Sequence, residues 1–499
     1  MKFPQVSTLV SPISNRTPIV IQGGMGVAVS SYELAKAVSQ AGELGVVSGT
    51  GLDQVIARRL QSGDETGDVR RALKEFPDQR IAADIVKKYF REKGRNENPT
   101  FRPTAKLSLE PNLATWELVI ASAFVETWLA KENHTGLVGI NLLEKIQLST
   151  LGTLYGAMLA GVDAVLMGAG IPTEIPRVLN HLSKHEASSL NIDVAGATIR
   201  YQMTLDPNNF EFKKNGPLHR PFFLAIVTNH VLAMYLSKDE ATCPDGFVVE
   251  RPDAGGHNAP PRGKVEYNQE GEPIYGPRDD VDYEKLRAVG LPFWMAGGYS
   301  TPEKVLEAHS VGACGVQVGS LFALSDESGI LRHLKDQLLS NLLDAVLKVK
   351  TDAQASPTGF PFKVAGIHQT VAEDEVFRAR PRLCDMGYLR TAFEREPGTL
   401  GYRCAAEPLD AYVSKGGDED DALNRKCLCN GLMATVGIGQ VRPDGFEEKP
   451  LLTLGSDLAG PSRMIEIHHK GWSAIQVLEF LLNFRSENVA AAASFAQSV

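Results

Sequence analysis

Cysteine is scarce in this chain, with six residues among 499. Domains that depend on disulfides use it far more densely, so a disulfide scaffold is excluded and reduced thiols are expected. Long apolar runs are also missing: no stretch reaches the ~18 residues of a membrane span. The most apolar segment, 221–236, is interrupted by Asn229 and His230. No apolar signal core follows Lys2, so secretion is not expected.

An excess of basic residues is lacking as well. Lys and Arg number 51 against 60 Asp and Glu, which gives a net charge of −9. This balance argues against a nucleic-acid partner, because proteins that bind nucleic acids carry basic surfaces. We therefore expect a cytoplasmic protein that contacts no membrane and acts on a small-molecule substrate. The sequence leaves the oligomeric state, including a homo-oligomer, open.

Eight short apolar strands can be read along the first two thirds of the chain, most of them followed by a helical pattern. They cover 18–22, 44–48, 136–141, 163–167, 222–227, 246–250, 292–296 and 313–318. Glycine or polar residues recur where the strands end. Such a series predicts an α/β fold, a (β/α)8 barrel of TIM type, rather than a doubly wound sheet. Active sites of these barrels lie at the C-terminal ends of the strands.

Additional segments surround this pattern. A helical insertion is predicted after strand 2, at about 52–134, with helices at 53–62, 68–75, 80–92 and 115–131. A helix at 174–184 and a polar hairpin precede strand 5, and a helix at 331–349 followed by a Pro/Gly-rich stretch at 350–365 comes after strand 8. The predicted domains are a barrel at 1–345, a C-terminal α/β extension at 346–485 and a flexible tail at 486–499.

Two serines are predicted to begin helices. Ser30 and Glu33 have the spacing of a capping box. Ser300 stands ahead of Pro302, and proline is favoured in a first helical turn because its missing N–H costs little there.

The loop after the sixth strand contains Gly255, Gly256 and His257 in succession. Paired glycines let a backbone approach a planar ligand, where any Cβ would intervene. A histidine beside them can exchange protons with that ligand, since its ordinary pKa lies near neutrality. The alternative is a solvent-exposed turn with an incidental histidine.

The ends of the last two strands have the composition of a phosphate site. Ala296 is followed by Gly297 and Gly298, and Gly319 by Ser320. In barrels of this type the loops after strands seven and eight bind phosphate through backbone N–H groups, a hydroxyl and a helix N-terminus. Ordinary tight turns between strand and helix are the alternative.

The first loop, Gly23-Gly-Met-Gly26, lacks the third glycine of a dinucleotide fingerprint, because Val29 stands in its place. It suits a backbone ledge against an aromatic ring, with Met25 covering one face. Asn141 ends strand three, and its amide can bond the edge of a heteroaromatic ring. A phosphate at strands seven and eight, a flat ring over the barrel mouth and a histidine beside it together predict flavin mononucleotide (FMN) as the cofactor.

The blocks at 18–26, 254–257, 296–298 and 315–320 resemble the signature blocks of the nitronate monooxygenase family, a resemblance that extends over residues 15–330. It implies a TIM-type barrel, non-covalently bound FMN, and oxidation of an alkyl nitronate by O₂ to a carbonyl compound and nitrite. It also implies that His257 is catalytic. The cofactor-binding residues that it implies are Gly24, Met25, Gly26, Asn141, Gly255, Gly256, Ala296, Gly297, Gly298, Gln317, Gly319 and Ser320.

The sequence does not decide between two roles for His257 or between three functions for the chain. His257, if protonated, would hydrogen-bond the nitronate oxygens; if neutral, it would remove the α-proton of a nitroalkane. An FMN- and NAD(P)H-dependent enoyl-thioester reductase is a second candidate, with Arg262, Lys264 and Arg278 as phosphate ligands or as solvated loop charges. A barrel that binds a phosphorylated ligand without redox chemistry is the third.

Four of the cysteines fall within the C-terminal region: Cys384, Cys404, Cys427 and Cys429. Four thiolates can bind zinc or an iron–sulfur cluster. The close pair is Cys-x-Cys, however, and not the Cys-x₂-Cys of structural zinc sites. The spacing therefore favours buried free thiols, and no metal is predicted.

Overall fold

A computed structural model describes residues 8–96, 98–212 and 216–483. The tail predicted at 486–499 lies outside this range. Strands and helices are numbered below along the whole chain.

Eight parallel strands form a closed barrel. Each strand pairs with the next in chain order, the last pairs with β1, and a parallel bridge between Ile21 and Leu44 closes the ring beside β2. The predicted (β/α)8 barrel is therefore confirmed. Its strands are β1 Val20–Gln22, β2 Gly45–Ser48, β3 Val138–Leu143, β4 Ala164–Gly168, β8 Phe222–Val227, β9 Gly246–Glu250, β10 Phe293–Ala296 and β11 Gly315–Val318.

Each barrel strand is apolar on both of its faces because both faces are buried. Side chains that point inward, such as Ile21, Val46 and Trp294, fill the barrel, while their chain neighbours pack against the surrounding helices. The indole of Trp294 is fully buried, and its Nε1 donates to the Pro18 carbonyl at 2.9 Å. Continuous apolar runs, rather than alternating ones, are typical of parallel strands covered on both sides.

The helices that follow the strands are α1 Tyr32–Gln40, α6 Gln147–Leu159, α7 Ile175–Ser183, α8 His230–Leu236, α9 Tyr283–Ala288, α10 Pro302–Ser310 and α11 Ser320–Ala323. The predicted helical insertion after β2 is present as α2 Leu52–Gln61, α3 Asp68–Lys74, α4 Gln79–Tyr89 and α5 Leu113–Lys131. The last of these, α5, packs between α1 and α6 and so takes the second position in the outer helical layer.

The helix α5 is, within the described residues, the one helix long and apolar enough to cross a membrane. Most of its side chains are buried inside the protein. Core helices of globular proteins pass the same test, so this feature is weak support for a membrane span. The segment 221–236, the most apolar run in the sequence, divides into β8 and α8.

Both predicted serine caps are wrong. The first helix begins at Tyr32, and Ser30 instead joins the first glycine loop through hydrogen bonds to Gly23 O (2.8 Å) and Met25 N (2.9 Å). The helix α10 is capped by Thr301, with Pro302 at its first position as predicted. Ser300 Oγ accepts the N–H of Gly460 at 3.2 Å. Ser30 thus stabilises its own loop, and Ser300 contacts the helix Ala459–Ile467, instead of capping a helix.

The predicted hairpin before strand five is formed by β5 Ser188–Ile192 and β7 Tyr201–Leu205, with β6 Val194–Ala195 between them. The helix predicted at 331–349 ends earlier, since the chain turns at Ala345 with a φ of +57°. The remaining elements are α12 Arg332–Leu343, β12 Lys348–Asp352, β13 Phe362–Gly366, α13 Asp374–Ala379, β14 Thr391–Glu396, β15 Thr399–Arg403, α14 Leu409–Ser414, α15 Leu428–Thr435, α16 Ala459–Ile467 and α17 Ala474–Leu482.

The last helix, α17, belongs to the outer layer of the barrel. It packs against α1, α10 and the short α11, which is the position of the eighth barrel helix. Trp472, just before this helix, and Leu481, within it, are fully buried in the main core. The boundary at residue 345 stays a prediction, but the extension and the barrel share this core.

Candidate active site

The C-terminal ends of the barrel strands open into one large cavity, with about 1590 Å³ of space between atoms including its open mouth. All thirteen residues that the family resemblance implies line it, although they come from strand ends and loops spread over almost 300 positions. They are Gly24, Met25, Gly26, Asn141, Gly255, Gly256, His257, Ala296, Gly297, Gly298, Gln317, Gly319 and Ser320.

The first glycine loop lies directly against Asn141. A Cβ on Gly24 would stand 2.3 Å from the Asn141 Cβ, so only glycine allows this approach. Gly26 adopts a φ of +55°, and its carbonyl accepts the Ser48 hydroxyl at 2.6 Å. The loop is thereby fixed with Met25 at the edge of the cavity, next to Gly319.

The loops after β10 and β11 are also fixed by backbone geometry. Gly297 and Gly298 have φ values of +80° and +74°, and a Cβ on Gly297 would lie 2.7 Å from the Arg251 carbonyl oxygen. Ser320 begins α11, and its Oγ accepts the N–H of Gly455 at 2.8 Å. The carboxylates of Asp253 and Asp457 border Gly298.

One buried polar atom in the cavity wall, the Oε1 of Gln317, has no hydrogen-bond partner among the described residues. Such an atom is costly unless a ligand supplies a donor. On two sides of the cavity, glycines leave the backbone accessible to a flat ring. The unpaired Gln317 Oε1 can accept a hydrogen bond from such a ring, as a flavin would provide.

His257 is held by contacts with the C-terminal region. Its Nε2 lies 2.7 Å from Ser356 Oγ, its ring meets Phe362 edge-on at 4.8 Å, and its backbone pairs with Phe362 in an antiparallel bridge. Burial, with a smaller contribution from the charge of Lys145, lowers the pKa of His257 to about 4. The imidazole is therefore neutral near pH 7, the form that a base needs, and its low pKa makes it a weak base.

Glu250, the last residue of β9, lines the same cavity and was not among the residues proposed from the sequence. Burial raises the pKa of its carboxyl group to about 7. A titratable group with such a pKa in a cleft is suited to proton transfer. Its position at a strand end, where active-site residues of barrels lie, was the signal that could have identified it.

The C-terminal region forms one wall of the cavity, which the sequence did not reveal because no motif marks these residues. Tyr388 donates its hydroxyl to Asp53, and burial raises the pKa of Asp53 to about 7. The residues of this wall are Met386, Tyr388, Leu389, Leu428, Cys429, Leu432, Met433, Thr453, Leu454, Gly455 and Asp457.

Basic side chains are missing from this cavity, as far as its described lining shows. Arg262, Lys264 and Arg278 are exposed and lie outside that lining. Arg262 donates to the Arg278 carbonyl, at 3.0 Å, and not to a group in the cavity. These three residues thus have the environment of solvated loop charges.

Comparison with known proteins identifies one family. The nitronate monooxygenase family matches residues 211–358, a segment that includes β8 to β11 and His257. None of the curated proteins matches the chain by sequence.

Solved structures with a similar course of the chain include FabK from Thermotoga maritima, with 16% identity, 96% of each chain covered and a TM-score of 0.46. Nitroalkane oxidase from Streptomyces ansochromogenes is 14% identical, with 95% of this chain and 97% of that chain covered and a TM-score of 0.45. The enoyl reductase domain of MlnA from Bacillus amyloliquefaciens is 11% identical, with 95% and 96% covered and a TM-score of 0.47. At these scores the similarities carry no argument about activity.

Proposed function

We propose that this chain is a member of the nitronate monooxygenase family, whose model matches residues 211–358, and that it binds FMN in the barrel mouth and oxidises nitroalkanes through their nitronates. The observation that carries the proposal is the meeting of all thirteen residues implied by the family resemblance in one cavity, around a half-buried neutral histidine. In the overall reaction two nitronates and one O₂ give two carbonyl compounds and two nitrite ions, which balances atoms and charge.

The residues present suit FMN. Gly24, Met25 and Asn141 would hold one side of the ring, and Gln317 would receive a hydrogen bond through its free Oε1. The backbone of 297–298 and 319–320 would hold the phosphate without a basic side chain, as loops of this barrel type do. When bound, FMN supplies an acceptor for the electrons of the substrate and a donor of electrons to O₂.

Electrostatics favour a substrate that enters the cavity uncharged. The described lining contains the carboxyl groups of Glu250, Asp253 and Asp457 and no Lys or Arg. Backbone N–H groups of the loops after β10 and β11 would serve the FMN phosphate, so no cationic side chain of this lining is left to attract a second anion. A nitroalkane is neutral until its α-proton is removed. Neutral His257 would accept that proton, and its Nε2 contact with Ser356 would hold the ring in one orientation. The bound nitronate then forms beside the flavin rather than in water.

An anaerobic experiment tests the function. Flavin-loaded protein is mixed separately with 2-nitropropane, with its preformed nitronate, and with NADPH, and flavin absorbance is followed by stopped flow. Bleaching by both nitro compounds, followed by nitrite formation on admitting air, supports the proposal. Rapid bleaching by NADPH with no response to either nitro compound would assign the chain to the reductase alternative instead.

A protein that binds no flavin would leave the third alternative, a barrel that binds a phosphorylated ligand without redox chemistry. The absorbance spectrum of the purified protein, measured before any substrate is added, distinguishes that case.

A further inference from the structure

One side of the active-site cavity is apolar, and the C-terminal region supplies it. Six side chains from the loop at 386–389 and from α15 form this surface, called here the apolar wall. They are Met386, Leu389, Leu428, Cys429, Leu432 and Met433. All of them lie beyond the segment 211–358 that matches the family, so the match does not account for the wall.

The apolar wall begins beside the histidine. The ring of His257 meets the ring of Phe362 edge-on, with the two ring centres 4.8 Å apart. Phe362 also lines the cavity, and it belongs to one buried apolar cluster with Leu389 and Leu428. A substrate group held at His257 would therefore lie next to the first side chains of the wall.

From there the apolar wall continues to the first glycine loop. Cys429, a free thiol, and Leu432 pack against this cluster and against a second one that contains Met386 and Met433. Both are half-buried, so part of each side chain is open to the cavity. A Cβ on Gly26 would lie 3.9 Å from the Leu432 Cδ2. Such a continuous apolar surface is stabilised when an apolar ligand covers it.

Polar groups near the apolar wall are used elsewhere or lie elsewhere. Tyr388 donates its hydroxyl to Asp53, which is outside the cavity lining, so its ring adds to the apolar surface. The carboxyl groups of Asp253 and Asp457 border Gly298, in the loop after β10. The described lining has no Lys or Arg that could pair with a negatively charged end of a ligand.

We propose that the apolar wall binds a long, uncharged alkyl chain of the substrate, whose nitro-bearing carbon lies at His257. The inference rests on the proposed function for the reacting group and adds the substrate class, primary nitroalkanes with extended chains. Each CH₂ that the wall removes from water should improve binding by about fourfold. A chain that ends in a carboxylate should lose this gain, because a charge that leaves water without a partner is costly.

Turnover of a chain-length series tests the substrate class. Nitrite formation by the flavin-loaded protein is measured with nitroethane, 1-nitrobutane and 1-nitrohexane. We expect kcat/KM to rise by about two- to fourfold for each CH₂. 4-Nitrobutanoate has the same number of carbons as 1-nitrobutane but ends in a carboxylate. Its kcat/KM should be lower than that of 1-nitrobutane by about tenfold or more.

A second measurement needs no turnover. The flavin-loaded protein is titrated with 1-butanol, 1-hexanol and 1-octanol, and dissociation constants are obtained by calorimetry; they should fall by the same factor for each CH₂. In Leu432→Gln the gain per CH₂ should be clearly smaller. The matched control Leu423→Gln, at a leucine that is 54% exposed and outside the cavity lining, should keep the wild-type dependence.

Three results would overturn the proposal: alkanol binding that does not depend on chain length, a wild-type dependence in folded Leu432→Gln, or equal turnover of 4-nitrobutanoate and 1-nitrobutane. If Leu432→Gln does not fold, as judged by circular dichroism, the two wild-type series decide alone. Alkanols that bind with the expected dependence to a protein that oxidises no nitroalkane would support the apolar wall and reject the proposed reaction. The two failures are thereby distinguished.

Discussion

At the scale of single residues, burial determines what the two titratable groups of the cavity can do. His257 has a pKa lowered to about 4, and Glu250 has a pKa raised to about 7, chiefly by the same loss of water. Each neutral form is therefore favoured over the charged form. A neutral imidazole with so low a pKa can accept a proton near pH 7 only transiently, whereas a carboxyl group with a pKa near 7 can both accept and donate one.

The role of His257 predicts a substrate-dependent defect. In His257→Asn, turnover of a nitroalkane should fall by about 10²- to 10⁴-fold, the usual contribution of a general base. Turnover of the preformed nitronate should fall far less, because its α-proton is already gone. Steady-state nitrite assays with both substrates measure this difference. The control His368→Asn changes an exposed histidine that is not part of the cavity lining.

Equal loss of both activities in His257→Asn would contradict the role as a base and favour charge stabilisation. Flavin content of the variant is measured alongside, since a residue that only retains the cofactor would reduce occupancy instead.

Glu250 predicts a stability that falls as pH rises. Its pKa in the folded protein is about 7, above the ordinary 4.5, so between these values the folded state keeps a proton that the unfolded chain has released. The stabilisation is present below pH 4.5 and is lost as pH rises through 7. At pH 8 Glu250→Gln should be more stable than the wild type by on the order of 2 kcal/mol.

Urea unfolding of both proteins at pH 5 and pH 8 checks this expectation. Near pH 5 the two should unfold at similar urea concentrations, because Glu250 is already protonated in the fold. A wild type that is equally stable relative to the variant at both pH values would show that the carboxyl group is solvated.

At the scale of elements, the strands and insertion helices were predictable because burial on both faces and helical periodicity are local signals. The caps were not. Ser30 bonds Gly23 within its own loop, and Ser300 accepts the N–H of Gly460 in α16. The residues next to each serine contain no signal of these contacts. The end of α12 depended on the turn at Ala345, whose positive φ is uncommon for alanine.

The loop after β10 predicts a difference between two glycines of almost equal φ. Gly297 and Gly290 have φ values of +80° and +79°, so alanine is strained by about 1 kcal/mol at either position. At Gly297 the new Cβ would also meet the Arg251 carbonyl at 2.7 Å, whereas at Gly290 it meets nothing within 4 Å. Gly297→Ala should therefore bind less flavin. Its loss in free energy of unfolding should be at least twice that of Gly290→Ala.

Flavin fluorescence titration and urea unfolding of the two variants measure these effects. Comparable losses in both would mean that φ alone sets the cost and that the 297–298 loop does not contact the cofactor.

At the scale of the whole molecule, most site residues of the barrel were predictable, but the wall that the C-terminal region supplies was not. Glycines, an asparagine and a histidine at strand ends follow a known arrangement. Tyr388, Thr453 and Asp457 reach the cavity through loops of the extension, whose sequence has no periodicity that indicates where they fold.

The position of α17 predicts that the C-terminal region supports the stability of the barrel itself. Trp472 is fully buried, and its Nε1 donates to the Leu321 carbonyl at 2.8 Å. Trp472→Ala should destabilise the protein by about 3–5 kcal/mol. Ile475→Ala, at a position 40% exposed on α17, should cost less than about 1 kcal/mol.

Urea unfolding followed by circular dichroism compares the two variants. A Trp472 variant that unfolds only in a separate, early transition, with the barrel signal unchanged, would show that the extension folds independently.

The place of α17 between α1 and α10 also has a consequence for biosynthesis. A ribosome that has produced all eight strands has still to translate as far as Leu482 before the last gap in the outer layer can be filled. Until residues 474–482 leave the ribosome and pack there, the apolar outer surface of the nascent strands stays exposed to solvent between α1 and α10.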